Sequence, residues 1–176
     1  MSIVFYNIAK IIFILYNRRM NRIFIFKGEC DPYAFLRKTA AEKCNNTEIV
    51  RAENGKPYFK HLPNLYFNIS HTDGLTVIAV GDSEVGIDVE KPRKFDFRIT
   101  RRFLKSEADY ITAADSEKRF FEIWTKKEAF LKYKGTGITA GLDSVNVFDC
   151  YPNIKTFYFE DYIISVCSEK DYEIEK

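Results

Sequence analysis

The sequence predicts a mixed α+β fold of two similar lobes, and three observations carry that prediction. A long amphipathic helix is expected over FFEIWTKKEAFLKYKGTG, Phe120 to Gly137, where Phe120, Trp124 and Leu131 recur at helical spacing. Short β-rich runs lie on both sides of it, among them Leu75 to Val80, Val85 to Glu90 and Tyr162 to Cys167. Each half of the chain therefore combines helix with strands that read as antiparallel, the pattern of α+β lobes. A hydrophobic share of 46%, with 16 Phe and 11 Tyr in 176 residues, supplies a core and excludes a disordered chain.

Taken in order, Ser2 to Tyr16 is apolar but interrupted by Asn7 and Lys10. It is short for a spanning helix and lacks the charged start and small-residue cleavage site of a signal peptide. Met20 opens a fresh run, MNRIFIF, and is read as the natural start, with residues 1–19 an apolar extension. Arg22 to Phe26 is a strand. Asp31-Pro32 combines an N-cap with proline at the first helical position, predicting a helix to about Cys44. Glu48 to Arg51 is a short strand, Asn54-Gly55 a turn, and Lys56-Pro57-Tyr58-Phe59 leaves that turn. Leu65 to Ser70 is a strand, followed by a polar, turn-like Ser70-His71-Thr72-Asp73-Gly74. Leu75 to Val80 is apolar on both faces and predicts a central strand. Val85 to Glu90 alternates, with Val85, Ile87 and Val89 on one face and Asp88 and Glu90 on the other. Ser106 to Asp109 matches a capping box and starts a helix near Glu107. The long helix has no proline from Glu117 to Lys134 and a stop at Gly135. Ser144 to Asp149, Ile154 to Phe159 and Tyr162 to Cys167 read as a meander. The boundaries expected are a first lobe at 20–89 and a second at 90–176, together one domain.

The balance of 27 basic and 25 acidic side chains leaves a net charge of +2, which gives no support for a nucleic-acid surface. Any anion site is therefore local. Cys30, Cys44, Cys150 and Cys167 form no C-x-x-C, and His61 and His71 have no zinc-type spacing to them. Structural zinc and a disulfide framework are not expected, and a reducing cytoplasm is.

Asp88 and Glu90 leave the same side of one strand, about 7 Å apart by strand rise. Carboxylates that close repel unless a cation lies between them. An ordinary solvated strand face is one explanation; magnesium, which takes carboxylate oxygens and shares itself with substrate phosphates, is the sharper one. Glu128 on the long helix is the natural third ligand. Lys132, four residues on, leaves the same helix face, and Lys126, Lys127 and Lys134 crowd round it. Lysines beside a carboxylate–magnesium site imply a phosphorylated ligand, with Lys132, Lys127 and Lys56 able to neutralise its oxygens. Ser70 and His71 in a turn would offer donors to another phosphate.

Read together, GKPYF, FNISH, VGIDVE and WTKKEAFLKYKGTGI resemble the 4′-phosphopantetheinyl transferases of the surfactin-synthetase-activating (Sfp-type) class, over Asn54 to Ile138. The resemblance implies two lobes in a pseudo-two-fold arrangement. It implies a magnesium-dependent enzyme that moves the phosphopantetheine arm of coenzyme A onto a serine of an acyl or peptidyl carrier protein, releasing 3′,5′-ADP. Asp88, Glu90 and Glu128 match the magnesium ligands. Glu128 also matches the general base, and Lys132 the lysine at the pyrophosphate. Lys56 and Pro57 match the segment beside the nucleotide, Ser70 and His71 contacts to the 3′-phosphate, and Lys127 a further coenzyme A contact. Residues after Lys91, including Phe103, match the surface that meets the carrier. A monomer without a membrane span is expected. The first lobe is short for the class, and Lys27, Arg37 and Lys38 are its unassigned basic residues. Two other readings share parts of the pattern: a coenzyme A or carrier-binding module without catalysis, and a magnesium-dependent nuclease. The adjacency Asp88-Val89-Glu90-Lys91 is not nuclease spacing.

Overall fold

The computed structural model describes residues 21–137, 141–149 and 153–175. The apolar extension at 1–19, the proposed start at Met20, Ile138 and Cys150 lie outside them. Two β-sheets pack face to face, with helices on both outer surfaces.

The first sheet holds β1 (Asn21–Lys27), β4 (Tyr66–Thr72), β5 (Leu75–Gly81) and β9 (Tyr172–Glu175) in the order β4-β5-β1-β9. The strand β5 is antiparallel to both neighbours, whereas β9 runs parallel to β1. Its outer face is covered by α1 (Pro32–Ala41), which starts as expected: the Asp31 carboxylate accepts from the Tyr33 and Ala34 amides. Leu36 and Ala40 bury against Phe67, Ile78 and Val80. Between α1 and β4 lies the hairpin of β2 (Ile49–Arg51) and β3 (Pro57–Phe59), turned at Gly55 with φ +83°.

The second sheet is antiparallel, in the order β6-β8-β7, from β6 (Val85–Glu90), β7 (Ile154–Phe159) and β8 (Tyr162–Ser168). The alternation read in β6 decides the packing. Val85, Ile87 and Val89 join Ile164 and Val166 against Ile23, Leu75, Val77 and Ala79 of the first sheet, forming the central core. The other face of the second sheet is covered by α3 (Ser116–Lys134), with α2 (Lys105–Ala113) beside it. Phe120, Phe121, Ile123 and Leu131 of α3 share an outer core with Ile111, Val145 and Ile163. The helix ends where expected, with Gly135 left-handed at φ +72°.

The mixed helix and strand content is as expected, but the division at 89/90 does not follow the sheets. The strand β6, assigned to the first lobe, pairs with β8 of the second; β9, at the far end of the chain, crosses back to β1. The two sheets are therefore unequal and interleaved in sequence. The turn expected at 70–74 is shorter, because β4 continues through Thr72 and only Asp73-Gly74 turns. The strand expected at Ser144 to Asp149 is a set of turns. Its alternation is real, since Val145 and Val147 are buried while Ser144, Asn146 and Phe148 are more open, but the Val147 amide donates to Glu107 rather than to a ladder. The capping box at Ser106 is not formed. The helix starts two residues earlier than Glu107, and the Glu107 carboxylate accepts from the Leu104 amide at 3.0 Å. Among the described residues no helix is long and apolar enough to cross a membrane.

Candidate active site

The site is built where α3 crosses β6, and Gly86 makes that crossing possible. A Cβ there would lie 2.0 Å from the Ala129 carbonyl oxygen and 2.4 Å from the Tyr133 nitrogen, so helix and strand backbones touch. This contact sets Glu128 and Lys132 beside Asp88. Gly86→Ala would push the helix off the strand, a backbone displacement costing about 3 kcal/mol. Urea denaturation should show that loss, and an unchanged midpoint would show that α3 can shift freely.

The face of β6 that meets α3 carries Asp88. Its Oδ1 accepts from Lys132 Nζ at 2.7 Å and from Ser70 Oγ at 2.8 Å. Lys132 also donates to Ser70 Oγ at 3.0 Å and to the Ile87 carbonyl at 3.2 Å. The same-face relation of Glu128 and Lys132 thus brings Lys132 to the strand acid. Two buried carboxylate oxygens, Asp88 Oδ2 and Glu128 Oε1, have no hydrogen-bond partner. Burial, more than any other cause, holds the Glu128 carboxyl above the ordinary carboxylate range; the charges of Asp88 and Glu90 add to this, and Lys132 opposes it. Asp88 is raised in the same way, by burial against the opposing pull of Lys132 and Ser70, with Glu90 adding to the rise. Glu90 is more open: its Oε2 accepts from Arg93 at 2.7 Å and from Thr72 Oγ1 at 3.5 Å.

Among the described residues, no group of three or more His, Cys, Asp or Glu side chains is already gathered as a metal cage. The donor chemistry nonetheless fits a hard divalent cation. Two acids on the strand and one on the helix repel one another, and two of their oxygens are buried and unpartnered, a costly arrangement that a cation relieves. This has a measurable consequence. A raised Glu128 pKa means that the folded chain holds its proton at pH values where the unfolded chain has lost it. Stability without metal should therefore fall as pH rises from the ordinary carboxylate range through the raised folded value. Magnesium should reverse that loss by binding only the folded state. Thermal melts across pH, with and without magnesium, check both; a melting temperature indifferent to the ion would remove the metal site.

Other expected site residues are placed differently. Lys127 is a correction: it is fully buried, 2.8 Å from the equally buried Glu107. Its Nζ also donates to the Leu142 and Val145 carbonyls, so it faces the outer core and not a coenzyme. Phe103 is a second correction, since it is buried under Lys127 and against Phe120. Lys56 reaches the C-terminal end of α3, donating to the Tyr133 carbonyl at 3.0 Å and to Glu84 at 2.6 Å. With Pro57, Tyr58, Tyr66 and Tyr133 it lines a cavity of about 330 Å³. Ser70 and His71 do not form one cradle. As neighbours on a strand they leave opposite faces: Ser70 is buried at Asp88, and His71 is exposed on a separate cavity of about 500 Å³ beside Cys30 and Pro32. The roles of Gly86 as a contact point and of Glu107 as the partner of Lys127 were not read from the sequence. The glycine of the VGIDVE run was the available signal for the first.

The family model of the 4′-phosphopantetheinyl transferase superfamily matches residues 84–174, from the start of β6 to β9. The chain belongs to that superfamily. Asp88, Glu90, Glu128 and Lys132 fall inside the matched span, and Lys56, Pro57, Ser70 and His71 outside it. The chain is 41% identical over 95 residues to the 4′-phosphopantetheinyl transferase psf-1 of Bacillus pumilus, covering 52% of this chain and 41% of that protein. It is 36% identical over 99 residues to the 4′-phosphopantetheinyl transferase Sfp of Bacillus subtilis (strain 168), covering 54% and 44%. A longer and weaker match, 26% over 137 residues, covers 72% of this chain and 69% of the 4′-phosphopantetheinyl transferase AcpT of Escherichia coli (strain K12). The chain spans less than half the length of the first two of these superfamily relatives.

Proposed function

We propose that the protein transfers the 4′-phosphopantetheine arm of coenzyme A to a serine of an acyl or peptidyl carrier protein and releases 3′,5′-ADP. The observation that carries this reading is the cluster of Asp88, Glu128 and Lys132 where α3 crosses β6, two acids with buried, unpartnered oxygens and a half-buried lysine paired to one of them. It supports attack on a phosphoanhydride, which needs charge neutralisation and positioning more than covalent help from the protein.

Asp88 and Glu128, joined by Glu90 after its release from Arg93, are the residues that would hold magnesium. When bound, the ion neutralises pyrophosphate oxygens. Glu128, with one oxygen free of any protein partner, accepts the proton of the carrier serine hydroxyl. The serine oxygen then bonds to the phosphorus that carries pantetheine, and the anhydride P–O bond to the nucleotide breaks. Lys132 is anchored at Asp88 but more than a quarter of its side chain is exposed, which leaves it able to meet the leaving phosphate. Lys56 and Pro57, on the tyrosine-lined cavity, are proposed for the nucleotide, and His71 on the other cavity for an outlying phosphate.

For the carrier, the proposed surface is the segment after Lys91, where the exposed Phe97 shares a short 3₁₀ helix, Phe97–Arg102, with Arg98, Arg101 and Arg102. Phe97 replaces the buried Phe103 as its apolar element. A cytoplasmic setting is proposed on the free thiols of Cys30, Cys44 and Cys167. The test is chromatographic detection of 3′,5′-ADP from coenzyme A. Release that requires carrier protein and magnesium together supports the reading; release of nucleotide from nucleic acid instead would favour a nuclease.

A further inference from the structure

We infer that Asn68 is a positioning residue of the active site: it fixes β4 against β6 where the two sheets meet, and through that register it couples the metal ligands to the phosphate contacts. The inference rests on the proposed function, which places the metal ion on β6 and α3 and a phosphate at β4. Its first support is topology. Among the described residues β4 pairs only with β5, and β6 only with β8. No backbone ladder joins β4 to β6, yet the site is divided between them. Ser70 and His71 stand on β4, Asp88 and Glu90 on β6. The height of one set against the other is therefore fixed by side chains.

Alternate residues of β4 supply them. Asn68 Oδ1 accepts from the Ile87 amide at 3.0 Å, Ser70 Oγ accepts from the Val89 amide at 3.3 Å, and Thr72 Oγ1 donates to Glu90 at 3.5 Å. Ser70 also donates to Asp88 at 2.8 Å. Both hydroxyls thus reach the site acids, and a bound ligand can take either by exchanging one partner for another. Asn68 differs. It is buried, and its bond ends on the backbone amide just before Asp88. No ligand of the proposed reaction competes for either end, so this bond lasts while partners exchange at Ser70 and Thr72. A buried amide on the outer side of an edge strand needs an acceptor. Removing the Asn68 oxygen leaves the Ile87 amide without one and lets β6 slide against β4. Glu128 and Lys132 move with β6, because α3 is in backbone contact with it at Gly86. The metal ligands then stay together while their distance from β4 loosens.

The test uses Asn68→Ala and Asn68→Ser in the full chain, assayed at a temperature where melting curves show each to be folded. Ser70 shows that a serine on this face of β4 can accept from a β6 amide, so Asn68→Ser is the conservative variant. Binding of manganous ion alone is read by electron paramagnetic resonance. The Kd of coenzyme A is measured by calorimetry with and without the ion. In the wild type the ion should tighten coenzyme A by about tenfold or more, the usual scale of coupling between two sites. Asn68→Ala should bind the ion alone within about twofold of wild type and reduce the coupling to about twofold or less. Asn68→Ser should keep most of it. Coupling unchanged in Asn68→Ala, whatever its melting temperature, would make Asn68 purely structural and overturn the inference. A loss of ion binding alone would mean that Asn68 acts on the acids themselves, and would also overturn it. So would an alanine variant that cannot be folded, or a wild type without coupling. A wild type that couples ion and coenzyme A but leaves a carrier unmodified would refute the proposed function, while the coupling still judges Asn68.

Discussion

Glu128→Gln is expected to leave the fold intact and cut phosphopantetheine transfer by about two orders of magnitude or more, the scale of a lost general base. The substitution keeps the size of the side chain and removes its charge and basicity. Glu128 Oε1 has no protein partner to lose, so folding should not suffer. Stability should even rise slightly without metal, because the repulsion from Asp88 and Glu90 disappears. Coenzyme A binding without metal should change little, since Lys132 and Lys56 remain. A magnesium titration separates the two roles. Full activity recovered at high magnesium would leave Glu128 as a metal ligand only, and wild-type activity at every magnesium level would remove it from the site.

Lys127→Met should do the reverse, destabilising the fold by about 3–5 kcal/mol, the cost of leaving one partner of a buried pair unpaired. The loss has identifiable parts. Glu107 would be buried without its cation, and the Leu142 and Val145 carbonyls would lose a donor. The methionine keeps the length of the side chain, so the effect reports charge and hydrogen bonds more than volume. Urea denaturation measures it. If Lys127 instead met coenzyme A, the variant would fold normally and show a raised KM, which would contradict the buried pair.

Much of this architecture was legible because local signals agreed with packing. Asp31-Pro32 and Gly135 marked helix ends by backbone chemistry that tertiary context did not override. The alternation of Val85 to Glu90 correctly assigned Val85, Ile87 and Val89 to the core and set Asp88 on the opposite face, because strand period alone decides that. What was not legible depended on long-range pairing. Nothing local tells β6 to pair with β8, more than 70 residues later, or β9 to return to β1. The candidate site divides in the same way. Glu128 and Asp88 were read from spacing and resemblance, and each keeps an unpartnered oxygen in the structure. Lys127, next to Glu128 in sequence, looks like part of the same lysine crowd. One residue on a helix is a turn of about 100°, enough to carry Lys127 from the cleft into the outer core, where Glu107 awaits it. Ser70 was assigned to a phosphate-binding turn because the strand was expected to end there, whereas two further strand residues aim its hydroxyl at β6.

The most direct test of the proposed activity is the intact mass of a carrier protein after incubation with this chain, coenzyme A and magnesium. The expected result is a gain of one phosphopantetheine per carrier, placed on a serine, absent without magnesium and nearly absent with Glu128→Gln. A carrier whose mass stays unchanged while the folded chain binds both coenzyme A and magnesium would contradict it, and would leave the protein a binding module without transfer.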